Sequence, residues 1–383
     1  MNLNLIKVKK KIINLFLQLF FYSFFIILGD LIYSNFGSSK DINYNCFQYF
    51  DLNSKGKKYS YYNLKKNCSA IESQRTVVPY TVLTDENGYR YSGKIRKNID
   101  KNIIFAGDSH TYGYGVKFED SFPGIIEDKL EKYEIYNLGV PGYGIKMYHK
   151  RIENFYKSNK KATHLFLTLD MTDVIDSSVN WIDEPLLDYP VQKSNNTVKE
   201  INKWDKIKDS NFKGIRLLTF YTRNFLRHIR KSIGSSNKKN EDTALKSEVA
   251  NFTYLEFNKT NNSFLNKESF ILSLEYIDEY FGKISKLAIE NDTKLYLLIF
   301  PWPENLIYGQ EAFNWEDYSN RICKKNNCEK VISLFNDFDN IKKKNINWKT
   351  LIYIDDDIHL KKYGNSILSN KILNEVTFNL NQK

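Results

Sequence analysis

Read for apolar and polar positions, the chain falls into three regimes. Residues 12–28 are apolar except for Asn14, Gln18 and Ser23. Residues 37–98 have weak periodicity and are dominated by Tyr, Lys, Ser and Asn. From residue 99 onward, short apolar-rich runs alternate with stretches whose apolar residues recur every three or four positions. The runs at 103–106, 134–138, 163–169 and 294–300 predict buried strands, since a strand covered on both faces has no solvent side to alternate with. Residues 118–130, 145–156 and 268–291 predict helices. In the last of these, Ile271, Leu274, Ile277, Phe281, Ile284 and Leu287 form one apolar stripe, which suits core packing. Alternating strands and helices predict an α/β fold: a three-layer α/β/α sandwich, flavodoxin-like, around a mostly parallel sheet of about five strands.

The expected organisation is a start and anchor over residues 1–36, a neck or extension over 37–98, and a main domain over 99–383 with an insertion at about 177–268. Within the neck, residues 76–83 suit a strand. The Asp85-Glu86-Asn87-Gly88-Tyr89-Arg90 stretch reads as a turn leading into a sheet edge, with Arg90 structural and a ligand role its alternative. The insertion scatters Trp181, Pro185, Tyr189, Pro190 and Trp204, then gives a basic and apolar stretch at 212–233 with roughly helical spacing. That stretch suits a lid, a membrane-surface helix or a helix on the main body.

Charge and cysteines change the picture at the N-terminus. Lys and Arg exceed Asp and Glu by 56 − 45 = 11, but no Arg-rich face or nucleic-acid module accompanies the excess, so no nucleic-acid partner is expected. Lys7, Lys9, Lys10 and Lys11 precede the apolar 12–28 segment. The segment is near the lower length limit of a membrane-spanning helix, and basic residues before it hold that end in the cytoplasm. The expectation is a single-pass transmembrane signal-anchor in the cytoplasmic (inner) membrane with the rest extracytoplasmic; a cleaved signal and a secreted product is the alternative. Cys46, Cys68, Cys323 and Cys328 all lie beyond this segment, and an even count on the exported side suggests disulfides. Cys46 with Cys68 and Cys323 with Cys328 is the simplest of three pairings, and free thiols are the reading for a cytosolic protein. No His or Cys flanks them at metal-ligand spacing, so no metal is expected.

The candidate chemistry lies at the end of the first buried run. Residues 103–106 lead to Gly107-Asp108-Ser109-His110-Thr111, a turn with a serine at its tip, where catalytic residues of open α/β sheets sit. A serine needs a base to take its proton and a third group to orient that base. Far downstream, Asp356 and His359 are three residues apart, close enough to meet in one turn of chain. Gly-Asp-Ser-x-Thr near the start of a domain and Asp-x-x-His near its end resemble the first and last blocks of the SGNH (GDSL-type) hydrolases. The resemblance covers roughly residues 100 to 375. It implies Ser109 as nucleophile, His359 as base and Asp356 as its orienting carboxylate. The loop Asn137-Leu138-Gly139-Val140-Pro141-Gly142 resembles the second block, which implies that the N–H groups of Gly139 and Ser109 hold the oxyanion. The third block is altered: Asp170 replaces its glycine and Thr172 its asparagine, while Asp173 matches. Thr172 is therefore a candidate third oxyanion donor. His110, Asp173 and Trp302 are candidate pocket residues.

The resemblance implies a serine esterase that needs no cofactor. With the expected anchor it suggests O-acyl, notably O-acetyl, esters of a cell-envelope glycan as substrate. The same acyl-enzyme serves an O-acetyltransferase. The altered third block suggests a glycan-binding or assembly protein on the same scaffold, and a lipase or thioesterase is the remaining alternative.

Overall fold

The computed structural model describes residues 46–54, 57–74, 77–95, 99, 101–178, 267–310, 313–355 and 357–378, together with residues 18, 21, 22 and 24. The chain forms two compact units, residues 1–42 with 194–237 and residues 43–193 with 238–383. Nearly all of the apolar 12–28 segment and of the expected insertion, with Trp181, Trp204 and the 212–233 stretch, lie outside the described residues. Among the described residues no helix is long and apolar enough to cross a membrane.

Among the described residues there are ten strands. Strands β1 (Phe47–Ser54) and β2 (Lys57–Leu64) pair as a separate antiparallel hairpin. The others, β3 (Ser69–Gln74), β4 (Val77–Thr84), β5 (Arg90–Tyr91), β6 (Lys101–Ala106), β7 (Tyr133–Asn137), β8 (His164–Thr168), β9 (Lys294–Ile299) and β10 (Lys330–Ser333), form one sheet in the order β10-β9-β8-β6-β7-β5-β4-β3. The five strands from β6 to β10 are mutually parallel, as the alternating pattern predicts. Strand β10 is only four residues long, too short for periodicity to reveal. Strands β3 to β5 extend the sheet antiparallel. The stretch read as a neck thus supplies three strands of the main sheet, and its Asp85–Gly88 turn is closed by N–H bonds to Asp85 from Gly88 and Asn87.

The helices follow the parallel strands: α1 (Ser109–Tyr112), α2 (Phe122–Lys129), α3 (Ile145–Lys157), α4 (Met171–Ser178), α5 (Lys267–Glu290), α6 (Pro303–Tyr308), α7 (Trp315–Lys325), α8 (Phe335–Lys344), α9 (Trp348–Ile352) and α10 (Lys362–Glu375). Two apolar layers result. On one face, Ile104, Leu165 and Leu297 pack with Ile152 and Phe155 of α3 and Ile277, Phe281 and Ile284 of α5. On the other, Ile103, Phe105, Phe166 and Leu298 pack with Phe122, Ile126, Leu368 and Ile372. The stripe read from residues 268–291 is therefore core-facing at its centre. Its edge residue Ile271 stays 44% exposed, because the stripe is wider than the contact.

This topology places the site. From β6 the chain passes to β7 on one side, while β8 lies on the other. The crevice where strand order reverses opens past the carboxyl end of β6, where ligands of such sheets bind. Ser109 is three residues beyond Ala106. Both expected disulfide pairs are present, Cys46–Cys68 in the extension and Cys323–Cys328 at the end of α7.

Candidate active site

Strand β6 ends in Gly107, whose φ of +158° lies at the border of extended backbone. A Cβ there would sit 2.2 Å from the Thr111 hydroxyl and 3.0 Å from Thr168 Cβ, so the close approach of neighbours demands glycine. Asp108 caps α1, accepting the His110 N–H on Oδ1 at 2.9 Å. Ser109 is the first helical residue, where helix geometry leaves the N–H without an intrahelical acceptor.

The partners arrive from 250 residues downstream. Nε2 of His359 lies 2.8 Å from Ser109 Oγ. The carboxylate on the other ring nitrogen is that of Asp357, with Oδ1 2.5 Å from Nδ1. Asp356, which the motif spacing pointed to, lies outside the described residues. Asp357 also accepts the backbone N–H groups of Ile358 (2.6 Å) and His359 (3.1 Å). Burial works to raise its pKa, but the His359 hydrogen bond and charge with those two N–H groups outweigh it and hold Asp357 below the usual carboxylate range. An ionised Asp357 keeps the imidazole proton on Nδ1 and leaves the Nε2 lone pair facing Ser109. The short loop is closed by the Tyr353–Leu360 bridge and by Ile354 N–H donating to His359 O at 2.8 Å. Its turn puts the residue two positions before His359 onto the ring.

His359 is packed between two rings, Tyr114 at 4.6 Å and His110 at 4.7 Å between centroids. His110 in turn touches Phe300 at 4.6 Å. Its Nε2 is 3.1 Å from Asp170 Oδ2, with both side chains 1% exposed. Burial lowers the His110 pKa, but the adjoining Asp170 and Asp108 carboxylates more than compensate and raise it. For Asp170, burial is outweighed by His110 and Thr172, and its pKa is lowered. For Asp108, burial and the Asp170 charge raise it. His110 and Asp170 thus form a buried contact beside the base, and the raised His110 and lowered Asp170 pKa favour its charged form, a pairing that neither residue signals alone.

The expected oxyanion donors are differently placed. The Thr172 hydroxyl is hydrogen-bonded to Asp170 Oδ1 and stands 3.2 Å from Asp108 Oδ2, so its single proton is held by carboxylates. The Gly139 N–H donates to Asn137 Oδ1 at 2.9 Å. Gly139 is required for packing: a Cβ would meet Tyr112 N at 2.3 Å and Thr111 C at 2.7 Å. Beyond it, Val140-Pro141-Gly142-Tyr143 makes a turn closed by the Tyr143 N–H on Val140 O, with Gly142 at φ +74°. Asp108 Oδ2 stands 3.1 Å from Ser109 Oγ, a second acceptor that competes with His359 Nε2 for the one hydroxyl proton.

Of the expected pocket residues, His110 is buried against the base and Trp302 is buried in the core with 5% exposure. Asp173 is buried behind the site, where it accepts the Asp170 N–H at 2.9 Å. Burial and the charges of Asp170 and Asp108 push its pKa well up, which favours a protonated carboxyl. Asp108, His110 and Asp170 offer ligand atoms within 4.8 Å of one another. Asp108 and Asp170 Oδ1 already accept from Ser109, the His110 N–H, Thr172 and the Thr172 N–H, while Asp170 Oδ2 faces His110 Nε2 at 3.1 Å.

Compared with known proteins, the chain matches no family model and no curated protein. Among solved structures it is similar to a lipolytic G-D-S-L family member from Veillonella parvula, with 13% identity over 71% of this chain and 96% of that one, at a TM-score of 0.38. It is also similar to a psychrotrophic esterase from Pseudoalteromonas sp., with 12% identity over 72% and 96% of the two chains and a TM-score of 0.37. A third is a catalytic mutant of an acetylxylan esterase from Geobacillus stearothermophilus, with 10% identity over 74% and 97% and a TM-score of 0.41.

Proposed function

We propose that the chain is a serine esterase of the SGNH type that works through an acyl-enzyme. The observation that carries the reading is the Ser109 Oγ–His359 Nε2 contact of 2.8 Å with Asp357 on the opposite ring nitrogen. His359 Nε2 takes the Ser109 proton as Oγ bonds to the ester carbonyl carbon, and the carbonyl π electrons move to its oxygen. Asp357 stabilises the imidazolium. The Ser109 N–H is the donor for the oxyanion, and Gly139 contributes only by sharing its N–H with Asn137. Collapse breaks the carbon–oxygen bond to the alcohol, which leaves with the proton from His359. Water, deprotonated by His359, then attacks the acyl-enzyme, and collapse returns Ser109 with its proton.

The substrate class we assign is O-acyl, chiefly O-acetyl, esters of a cell-envelope glycan. Two disulfides and an apolar segment behind a lysine cluster support an exported, membrane-anchored protein. A sugar hydroxyl in place of water would make the same acyl-enzyme an acetyltransferase.

One observation favours a second reading, a glycan-binding protein on this scaffold. Thr172 and Gly139 both spend their donors on protein acceptors, and loss of one oxyanion donor typically costs about 10²–10³ in rate. The test is labelling of the full chain with a fluorophosphonate, beside Ser109→Ala and His359→Ala. Labelling that needs both residues supports the esterase. A folded chain that is not labelled yet retains glycan binding supports the second reading.

A further inference from the structure

Arg90 is a fully buried guanidinium that spends its hydrogen bonds on main-chain carbonyls. Its Nη1 donates to Tyr112 O at 2.6 Å and Gly113 O at 2.7 Å, and its Nη2 to Val116 O at 2.7 Å. In the β5–β7 pairing Arg90 is in register with Asn137, whose Nδ2 donates to Thr111 O at 2.7 Å. Two side chains facing each other across the sheet therefore take the carbonyls of Thr111, Tyr112 and Gly113. These carbonyls close the C-terminal end of the four-residue helix that Ser109 begins.

The last carbonyls of so short a helix have no intrahelical donor, and its C-terminal end carries partial negative charge. A planar guanidinium suits it because it reaches several acceptors in fixed directions. The chain then folds back tightly: the N–H groups of Gly113 and Tyr114 both donate to Ser109 O, at 3.0 and 2.9 Å. The grips on Gly113 and Val116 bracket Tyr114, the residue whose ring packs on His359. From the other side, Glu72 of β3 accepts the hydroxyls of Tyr80 (3.0 Å) and Tyr112 (2.8 Å), and Arg90 lies over both rings.

We propose that Arg90 is a positioning residue for both Ser109 and His359, which makes strands β3 to β5 a working part of the active site. The inference rests on the reading of Ser109 as nucleophile. Without the guanidinium, the buried carbonyls of Tyr112 and Gly113 and the part-buried one of Val116 lose a donor, and the helix and the Tyr114 loop are free to shift together. Misplacement of about 1 Å in a reacting group can cost about 10² in rate.

The experiment uses the full chain with Arg90→Met and Arg90→Lys. Fluorophosphonate inactivation is followed as kinact and KI, with labelling amplitude and melting temperature measured on the same samples. Arg90→Met is expected to lower kinact by about 10²-fold with KI unchanged. Arg90→Lys, a compact ammonium that cannot span all three carbonyls, falls between. A purely structural role would lower the amplitude, as fewer molecules stay folded, and leave kinact of the folded fraction at the wild-type value. Folded Arg90→Met labelled at that value overturns the proposal. Where Arg90→Met does not purify folded, Arg90→Lys decides in the same way. If the wild-type chain is not labelled, the esterase reading fails and this inference falls with it.

Discussion

His110 Nε2 and Asp170 Oδ2 stand 3.1 Å apart, both side chains buried, beside the ring of His359. His110, whose folded pKa is raised, contributes stability that is present below its unfolded pKa and lost as pH rises through the folded value. Asp170, whose folded pKa is lowered, contributes stability that is present above its unfolded pKa and lost as pH falls through the folded one. The pair is therefore complete from above the ordinary carboxylate range up to the raised His110 pKa. Asp170→Asn is expected to cost about 3 kcal/mol at pH 6, and less at alkaline pH where His110 is neutral. Denaturant unfolding at the two pH values measures this, and an equal cost at both would count against the ion pair.

Asp357 and Asp356 are separated by one substitution each. Asp357→Asn removes the carboxylate that fixes the His359 tautomer, and is expected to slow Ser109 acylation by about 10⁴-fold. Asp356→Asn is expected to leave the acylation rate near wild type. The reverse order would return the orienting role to Asp356.

Thr172→Val removes a hydroxyl that is bonded to a buried carboxylate. The expected loss is about 2 kcal/mol of stability with only a small change in acylation rate. A rate loss of about 10²-fold at unchanged stability would instead identify Thr172 as an oxyanion donor.

Gly139→Ala forces a methyl group to within 2.3 Å of Tyr112 N, a backbone atom of α1 that cannot turn aside. The helix that carries Ser109 must move, so melting temperature and fluorophosphonate labelling are expected to fall together, with a stability cost of about 3 kcal/mol.

Reduction separates the two disulfides by loop size. Cys46–Cys68 closes a sequence separation of 22 and Cys323–Cys328 one of 5. In the chain-entropy model the first stabilises by about 3 kcal/mol and the second by about 2 kcal/mol. Cys46→Ala with Cys68→Ala should therefore lower the unfolding midpoint more than Cys323→Ala with Cys328→Ala.

Features that depend on local periodicity can be read directly from the order of residues. Runs such as 103–106 and 163–169 announce buried parallel strands because both faces need apolar side chains. The Gly-Asp-Ser-x-Thr turn and the distant Asp-x-x-His element pointed to Ser109 and His359, because each motif is local even though their meeting is not. How a turn aims a side chain, and which strands become neighbours, emerges only once the chain is folded. The bend before His359 put Asp357 on the ring, a choice that three adjacent aspartates leave open. The same holds for Asp170, which reads as a damaged motif position until His110 is seen against it. It holds most for Arg90, read as a turn residue: its three acceptors lie 22 to 26 residues away, and it reaches them because β5 joins the sheet beside β7.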